Sequence, residues 1–111
     1  MRLATDKNGA VLFLLPQGQI NSANAAGLEA DLVEHFEKGE RTIVLDLSRL
    51  DYISSAGLRV ILLLAKKLKV AGGIMALCDI KPGVREVLEI SGFLAILTVF
   101  ANRAEAQAAL P

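Results

Sequence analysis

The chain has 111 residues, and twelve Lys and Arg balance twelve Asp and Glu, so it is one domain's length of neutral sequence and too short for a two-domain enzyme. With 53% of its residues apolar, it can build a core without disulfide or metal staples, and a disordered segment would need the opposite composition. A single cysteine excludes an internal disulfide and a multi-cysteine zinc site, while zero net charge and only four Phe and one Tyr argue against nucleic acid as a partner.

The opening Met1-Arg2-Leu3-Ala4-Thr5-Asp6-Lys7 lacks the apolar stretch of a signal peptide, and runs such as Val60 to Ala65 fall far short of the roughly 20 residues that cross a bilayer. The expected compartment is the cytoplasm, with no membrane insertion. In chain order, a first strand from Arg2 to Asp6 turns at Lys7-Asn8-Gly9 into a second, apolar one from Ala10 to Pro16, and this hairpin is all the antiparallel structure expected. Gly18 to Asn21 ends the run. Ser22 is placed to cap a helix with Ala25, Leu28, Leu32, Val33 and Phe36 on one face and Gly39 as its stop,.

Thr42 to Leu47 is a β-branched, apolar run suited to the middle of a sheet,. A second helix follows Ser54-Ser55, turns Leu58, Ile61, Leu62, Ala65 and Leu68 inward, and stops at Gly72-Gly73,. Ile74 to Cys78 is the next strand. Pro82 then opens a helix striped by Val84, Val87 and Leu88 and ended by Ser91-Gly92; Ile96 to Phe100 is the last strand, and Asn102 caps a helix from Arg103 to Leu110,. The resulting order, ββαβαβαβα, predicts an α/β fold with a mainly parallel sheet of about five strands and an N-terminal strand at one edge.

Charge is unevenly spread. Glu29, Asp31, Glu34, Glu37 and Glu40 make an acidic stretch, and Arg59, Lys66, Lys67 and Lys69 a basic one. They read as two solvated helix faces, with docking of an oppositely charged protein as the alternative.

Chemistry finds few footholds. His35, the only histidine, lies in the acidic helix with no cysteine or second histidine at ligand spacing, which gives it a structural or solvent role,. Cys78, between Leu77 and Asp79, reads as a small buried hydrophobe rather than a stabilised thiolate. No glycine pattern matches a dinucleotide or P-loop phosphate cradle. What remains is the junction from Asp46 to Leu58, where Ser54 and Ser55 stand at a helix start beside unpaired N–H groups and the positive end of the helix dipole,. A phosphate fits there physically, with small Ala56 and Gly57 leaving the approach open. The plainer alternative is that one serine caps the helix and the other is filler.

The same junction resembles the STAS domain of anti-sigma factor antagonists, whose hallmark is an Asp-Leu-Ser strand end, a hydrophobic pair, then Asp-Ser-Ser/Thr-Gly-Leu and a helix. Here it reads Asp46-Leu47-Ser48, Tyr52-Ile53 and Ser54-Ser55-Ala56-Gly57-Leu58. An early Gly-x-Leu/Ile-Asp turn matches Gly18-Gln19-Ile20-Asn21, and a late Gly-Gly strand and Ser-Gly-Phe/Leu pair match Gly72-Gly73 and Ser91-Gly92-Phe93. The resemblance covers essentially the whole chain and implies a single STAS domain over residues 1–111, with its four helices mostly on one side of the sheet.

Functionally the resemblance implies partner switching. The unmodified antagonist binds an anti-sigma factor that is itself a serine kinase, phosphorylation of its serine switches it off, and a PP2C-type serine phosphatase restores it. By position the acceptor is Ser55, with Asn21, Ser22, Ser54, Ala56, Gly57, Leu58 and Arg59 as partner-binding positions. No catalytic residue, cofactor or metal is implied in this chain, and a monomer or weak dimer is expected. Two family aspartates are replaced, by Ser54 and Asn21, which removes two negative charges near the acceptor. Two other readings compete: an unphosphorylated STAS adaptor of a lipid-transport or stress-signalling complex, and a small enzyme whose Ser55 nucleophile would need His35 brought to it by the fold.

Overall fold

A computed structural model describes residues 3–110. Strands β1 (Ala4–Asn8) and β2 (Val11–Leu15) pair antiparallel from Ala4↔Leu15 to Asn8↔Val11. The start expected at Arg2 lies outside the described residues, and β1 continues two residues beyond the expected end at Asp6. Its turn is later than predicted because the positive φ, 64°, falls on Gly9, which leaves Lys7 and Asn8 paired with Leu12 and Val11,.

The remaining elements are β3 (Gly18–Ile20), α1 (Ala25–Glu37), β4 (Thr42–Asp46), β5 (Leu50–Ile53), α2 (Ser55–Val70), β6 (Ile74–Cys78), α3 (Pro82–Ile90), a 3-10 turn (Phe93–Ala95), β7 (Thr98–Phe100) and α4 (Arg103–Ala109). The main sheet has the order β1-β2-β4-β6-β7, and all its pairs beyond the hairpin are parallel. The predicted α/β class, five-strand sheet and edge hairpin are what the chain forms. No described helix is long and apolar enough to cross a membrane.

Alternation along the central strands separates two buried layers. Leu12, Leu14, Ile43, Leu45, Met75 and Leu77 pack with α1, α2 and α3 through Leu28, Leu32, Ile61, Leu64, Val84 and Leu88. Val11, Phe13, Val44, Ala76 and Cys78 form the opposite layer, which α4 covers with Ala106. Both faces of the sheet are therefore dry, which is why these strands read as continuous apolar runs rather than alternating ones. Three helices lie on one side and α4 alone on the other.

Elsewhere, two boundaries and one pair of strands differ from expectation. Ser22 does not cap α1: it is exposed in a turn, and the helix begins at Ala25 after Asn24. The Asn21 side chain takes the N–H groups of Ala23 and Asn24 at 2.9 and 3.1 Å, so an Asx turn occupies these residues before the helix can start. The last strand begins at Thr98 rather than Ile96, because the N–H groups of Ile96 and Leu97 both donate to the Phe93 carbonyl of the 3-10 turn and have none left for a sheet partner. Gly18–Ile20 and Leu50–Ile53, to which the sequence reading gives no strand, form a separate two-stranded sheet.

Arg103 ties α4 across the sheet. Its guanidinium bonds Asp6 Oδ2 at 2.5 Å and Asp46 Oδ2 at 3.2 Å, and its carbon stands 4.5 Å from the centroid of Phe13. Asp46 is buried and also accepts the N–H of Ser48 through Oδ1. Arg103→Ala leaves that carboxylate without its cation and is expected to cost about 1–3 kcal/mol in urea unfolding; an unchanged midpoint would show that solvent replaces the pair. Beside it, Cys78 is the buried thiol expected from its strand. Burial, a hydrogen bond with Asp79 and the Asp46 carboxylate push its pKa up to about 12, so it carries no thiolate near neutral pH.

Candidate functional site

The β3–β5 pair builds a small platform at the end of the main sheet. Its parallel register sets Gln19 beside Tyr52 and Ile20 beside Ile53. Ile20, Leu50 and Ile53 are buried, whereas Gln19 and Tyr52 face solvent, Tyr52 with 47% of its surface exposed. The ladder then runs into the next helix, because Ser54 N donates to Ile20 O at 2.8 Å. Lys81, just ahead of α3, bonds Asp51 of β5 at 2.7 Å and ties that helix start to the same platform.

Ser54 and Ser55 have separate jobs. Ser54 is the N-cap of α2, with extended backbone (φ −86°, ψ 169°); its hydroxyl accepts from Gly57 N at 3.3 Å and its carbonyl from Leu58 N at 3.0 Å. Ser55 is the first helical residue and is exposed, and its hydroxyl makes no hydrogen bond among the described residues. Capping therefore falls to Ser54, and Ser55 is left facing solvent at the positive end of a 16-residue helix,. Ser54→Ala is expected to lower stability by about 0.5–2 kcal/mol in a thermal melt; no loss would mean that the cap is replaceable by water.

Beneath them the helix sits close to the platform. A β-carbon on Gly57 would stand 2.5 Å from Ile20 Cγ2 and 2.9 Å from Ile53 Cγ1, so only glycine lets α2 approach this near. Ala56 is half-buried, and Leu58 is 3% exposed and part of the core. Gly57 and Leu58 thus seat the corner rather than present surface, while Arg59, one helical turn after Ser55, is exposed,.

The loop after β3 flanks the corner. Asn21 N donates to Asn24 Oδ1 at 2.9 Å, and Asn24 Nδ2 donates to Gln19 O at 2.8 Å. Together with the two N–H groups held by Asn21 Oδ1, these bonds fix the loop at both ends. Asn24 was not singled out by the sequence reading; the Asn-x-x-Asn spacing is the signal that would have found it. Ser22 is exposed in the same loop.

The two positions where the resembled family carries aspartate keep the hydrogen-bonding work and lose the charge. An amide oxygen at Asn21 accepts two N–H groups, and a serine hydroxyl caps as well as a carboxylate does,. His35 is remote from this chemistry: it lies in the last turn of α1, ahead of the start of β4, whereas Ser55 lies past the far end of that strand. The fold does not bring His35 to the serine.

Residues 2–106 match the STAS domain. BtrV of Bordetella bronchiseptica, named as a candidate anti-sigma factor antagonist, is 59% identical over 109 residues, covering 98% of this chain and 93% of that protein. An anti-sigma F factor antagonist of Paenibacillus polymyxa is 28% identical over 96% of this chain and 92% of its own. In structure, a candidate anti-sigma factor antagonist from Thermotoga maritima superposes with a TM-score of 0.91 at 26% identity, covering 96% of this chain and 92% of that one. Unphosphorylated SpoIIAA shares the fold, with a TM-score of 0.80 at 19% identity over 98% and 99% of the two chains. The chain belongs to the STAS-domain family, among relatives named as anti-sigma factor antagonists.

Proposed function

We propose that the chain is an anti-sigma factor antagonist: it binds an anti-sigma factor that is a serine kinase, and phosphorylation of Ser55 switches the contact off. The observation that carries this reading is the division of labour at the corner, where Ser54 is spent on capping and Ser55 is offered to solvent on a rigid strand-to-helix junction. A kinase needs a positioned hydroxyl and supplies nucleotide and magnesium itself, so this chain needs no catalytic apparatus of its own. The identity to BtrV over nearly the full length supports the antagonist role, and SpoIIAA, which shares the fold, has been described in both unphosphorylated and phosphorylated forms.

The docking surface is the exposed rim of the corner: Ser22, Ser55, Arg59 and Tyr52, held from behind by Asn21, Ser54, Ala56, Gly57 and Leu58. Phosphate on Ser55 adds about −1.5 to −2 charges at pH 7. It arrives at a helix N-terminus, with Arg59 one turn away and no carboxylate at positions 21 or 54, so the modified protein is stable while its contact face changes sign. A PP2C-type phosphatase reverses the step, and all of these encounters take place in the cytoplasm. The reading is tested by competition: adding the chain to a preformed complex of sigma factor and cognate anti-sigma factor should release the sigma factor stoichiometrically. Failure to displace it, at concentrations well above that of the complex, would overturn the antagonist reading.

A further inference from the structure

A second site lies roughly three turns along α2 from Ser55. Leu62, Ala65, Lys66 and Lys69 recur at helical spacing and form one wall of an open groove of about 550 Å3; Ile74, Ile96 and Leu97 supply the other side. The groove exists because β7 is short. Its first residue pairs with Ala76, so Ile74 and Met75 at the start of β6 have no neighbour on that edge.

The lining has the character of a ligand site rather than of a packing defect. Its volume falls within the roughly 300–1,000 Å3 of small-molecule pockets, and it combines an apolar floor with a few polar groups at one rim,. Ile96 is 65% exposed, a large apolar side chain left in water. Lys66 and Lys69 are exposed, and neither meets a carboxylate among the described residues. Two full positive charges outweigh the roughly half-unit negative charge of the nearby helix end. No arginine fork or helix N-terminus lines the groove, so nothing in it is arranged for bidentate phosphate recognition.

We infer that this groove binds a single-chain amphiphile with a carboxylate head, its apolar chain lying on Leu62, Ile74, Ile96 and Leu97 and its head against Lys66 and Lys69. The inference does not rest on the role of Ser55, and a ligand there leaves the corner uncovered.

Dodecanoate is the probe. Titrated below its micelle concentration into isotope-labelled protein, it should shift the amide resonances of Leu62, Lys66, Lys69, Ile74 and Ile96 saturably and leave Ser55 unmoved. The double variant Lys66→Gln/Lys69→Gln, at two exposed positions, should weaken binding about tenfold, as expected for two solvent-exposed ion pairs, with an unchanged melting temperature. Dodecyltrimethylammonium should bind more weakly than dodecanoate. The inference is overturned by the absence of saturable shifts, by equal affinity for the cationic probe, or by a dimer in sedimentation that Ile96→Asp abolishes, since the groove's occupant would then be a second copy of the chain.

Discussion

Ser55→Asp is expected to weaken binding to the cognate anti-sigma factor by about tenfold to a hundredfold, a loss of about 1.4–2.8 kcal/mol, while leaving the protein as stable as before or slightly more so. The two halves of this expectation have one origin. A carboxylate at the first position of α2 faces unpaired N–H groups and the positive end of the helix, which favours it by about 0.3–1 kcal/mol. The same charge on a docking face built around a neutral hydroxyl must be desolvated, or must repel the partner, when the complex forms. Isothermal titration with a parallel thermal melt separates them: weaker binding with an unchanged melt supports a charge switch, and weaker binding with a lowered melt would mean that the corner had been damaged instead. Ser55→Ala should keep the stability, because Ser55 contributes no hydrogen bond to the fold.

Gly57→Val is expected to destabilise the protein by about 1–3 kcal/mol and to weaken partner binding with it. Glycine is not required here for backbone freedom, since Gly57 is absent from the positive-φ residues. It is required for space. A β-carbon alone would press to 2.5 Å from Ile20 Cγ2 and to 2.9 and 3.3 Å from two Ile53 carbons, and the branched side chain adds two methyl groups against the same buried pair. Replacing helical glycine usually gains up to about 1 kcal/mol in helix propensity, which is smaller than the overpacking cost, so the net sign is a loss. Relief requires the first turn of α2 to lift from the β3–β5 platform, which moves Ser55 with it. Denaturant unfolding and the binding titration check both effects, and a variant with wild-type stability would show that Ile20 and Ile53 repack freely.

Much of this arrangement was legible before any coordinates. Helical periodicity located α1, α2 and α3, and short continuous apolar runs located the central strands, which are buried on both faces,. The Asn102 cap was legible from its side chain, and it does accept from Glu105 N at 2.9 Å. The platform was not: three or four residues of strand carry too little pattern to distinguish them from loop, and β3 and β5 are paired only because the crossover returns Leu50 beside Gly18. Propensity does not distinguish Ser22 from its polar neighbours as the residue that holds the helix start; the local Asx turn, with Asn21 Oδ1 accepting from Ala23 N and Asn24 N, takes that place,. The choice between the two serines was likewise open in the sequence, and the single bond from Gly57 N to Ser54 Oγ resolves which one caps.

Ser55, and not Ser54, is expected to take the phosphate. The direct measurement is incubation with the cognate anti-sigma kinase and Mg-ATP, followed by intact mass and fragmentation mapping, on the wild-type chain, Ser55→Ala and Ser54→Ala. The expected result is one added phosphate at Ser55, its absence in Ser55→Ala, its retention in Ser54→Ala, and dissociation of the kinase complex as it accumulates. Stable binding without any phosphate transfer, or transfer to Ser54, would overturn phosphorylation at Ser55 and favour a constitutive adaptor in the first case and a different acceptor geometry in the second.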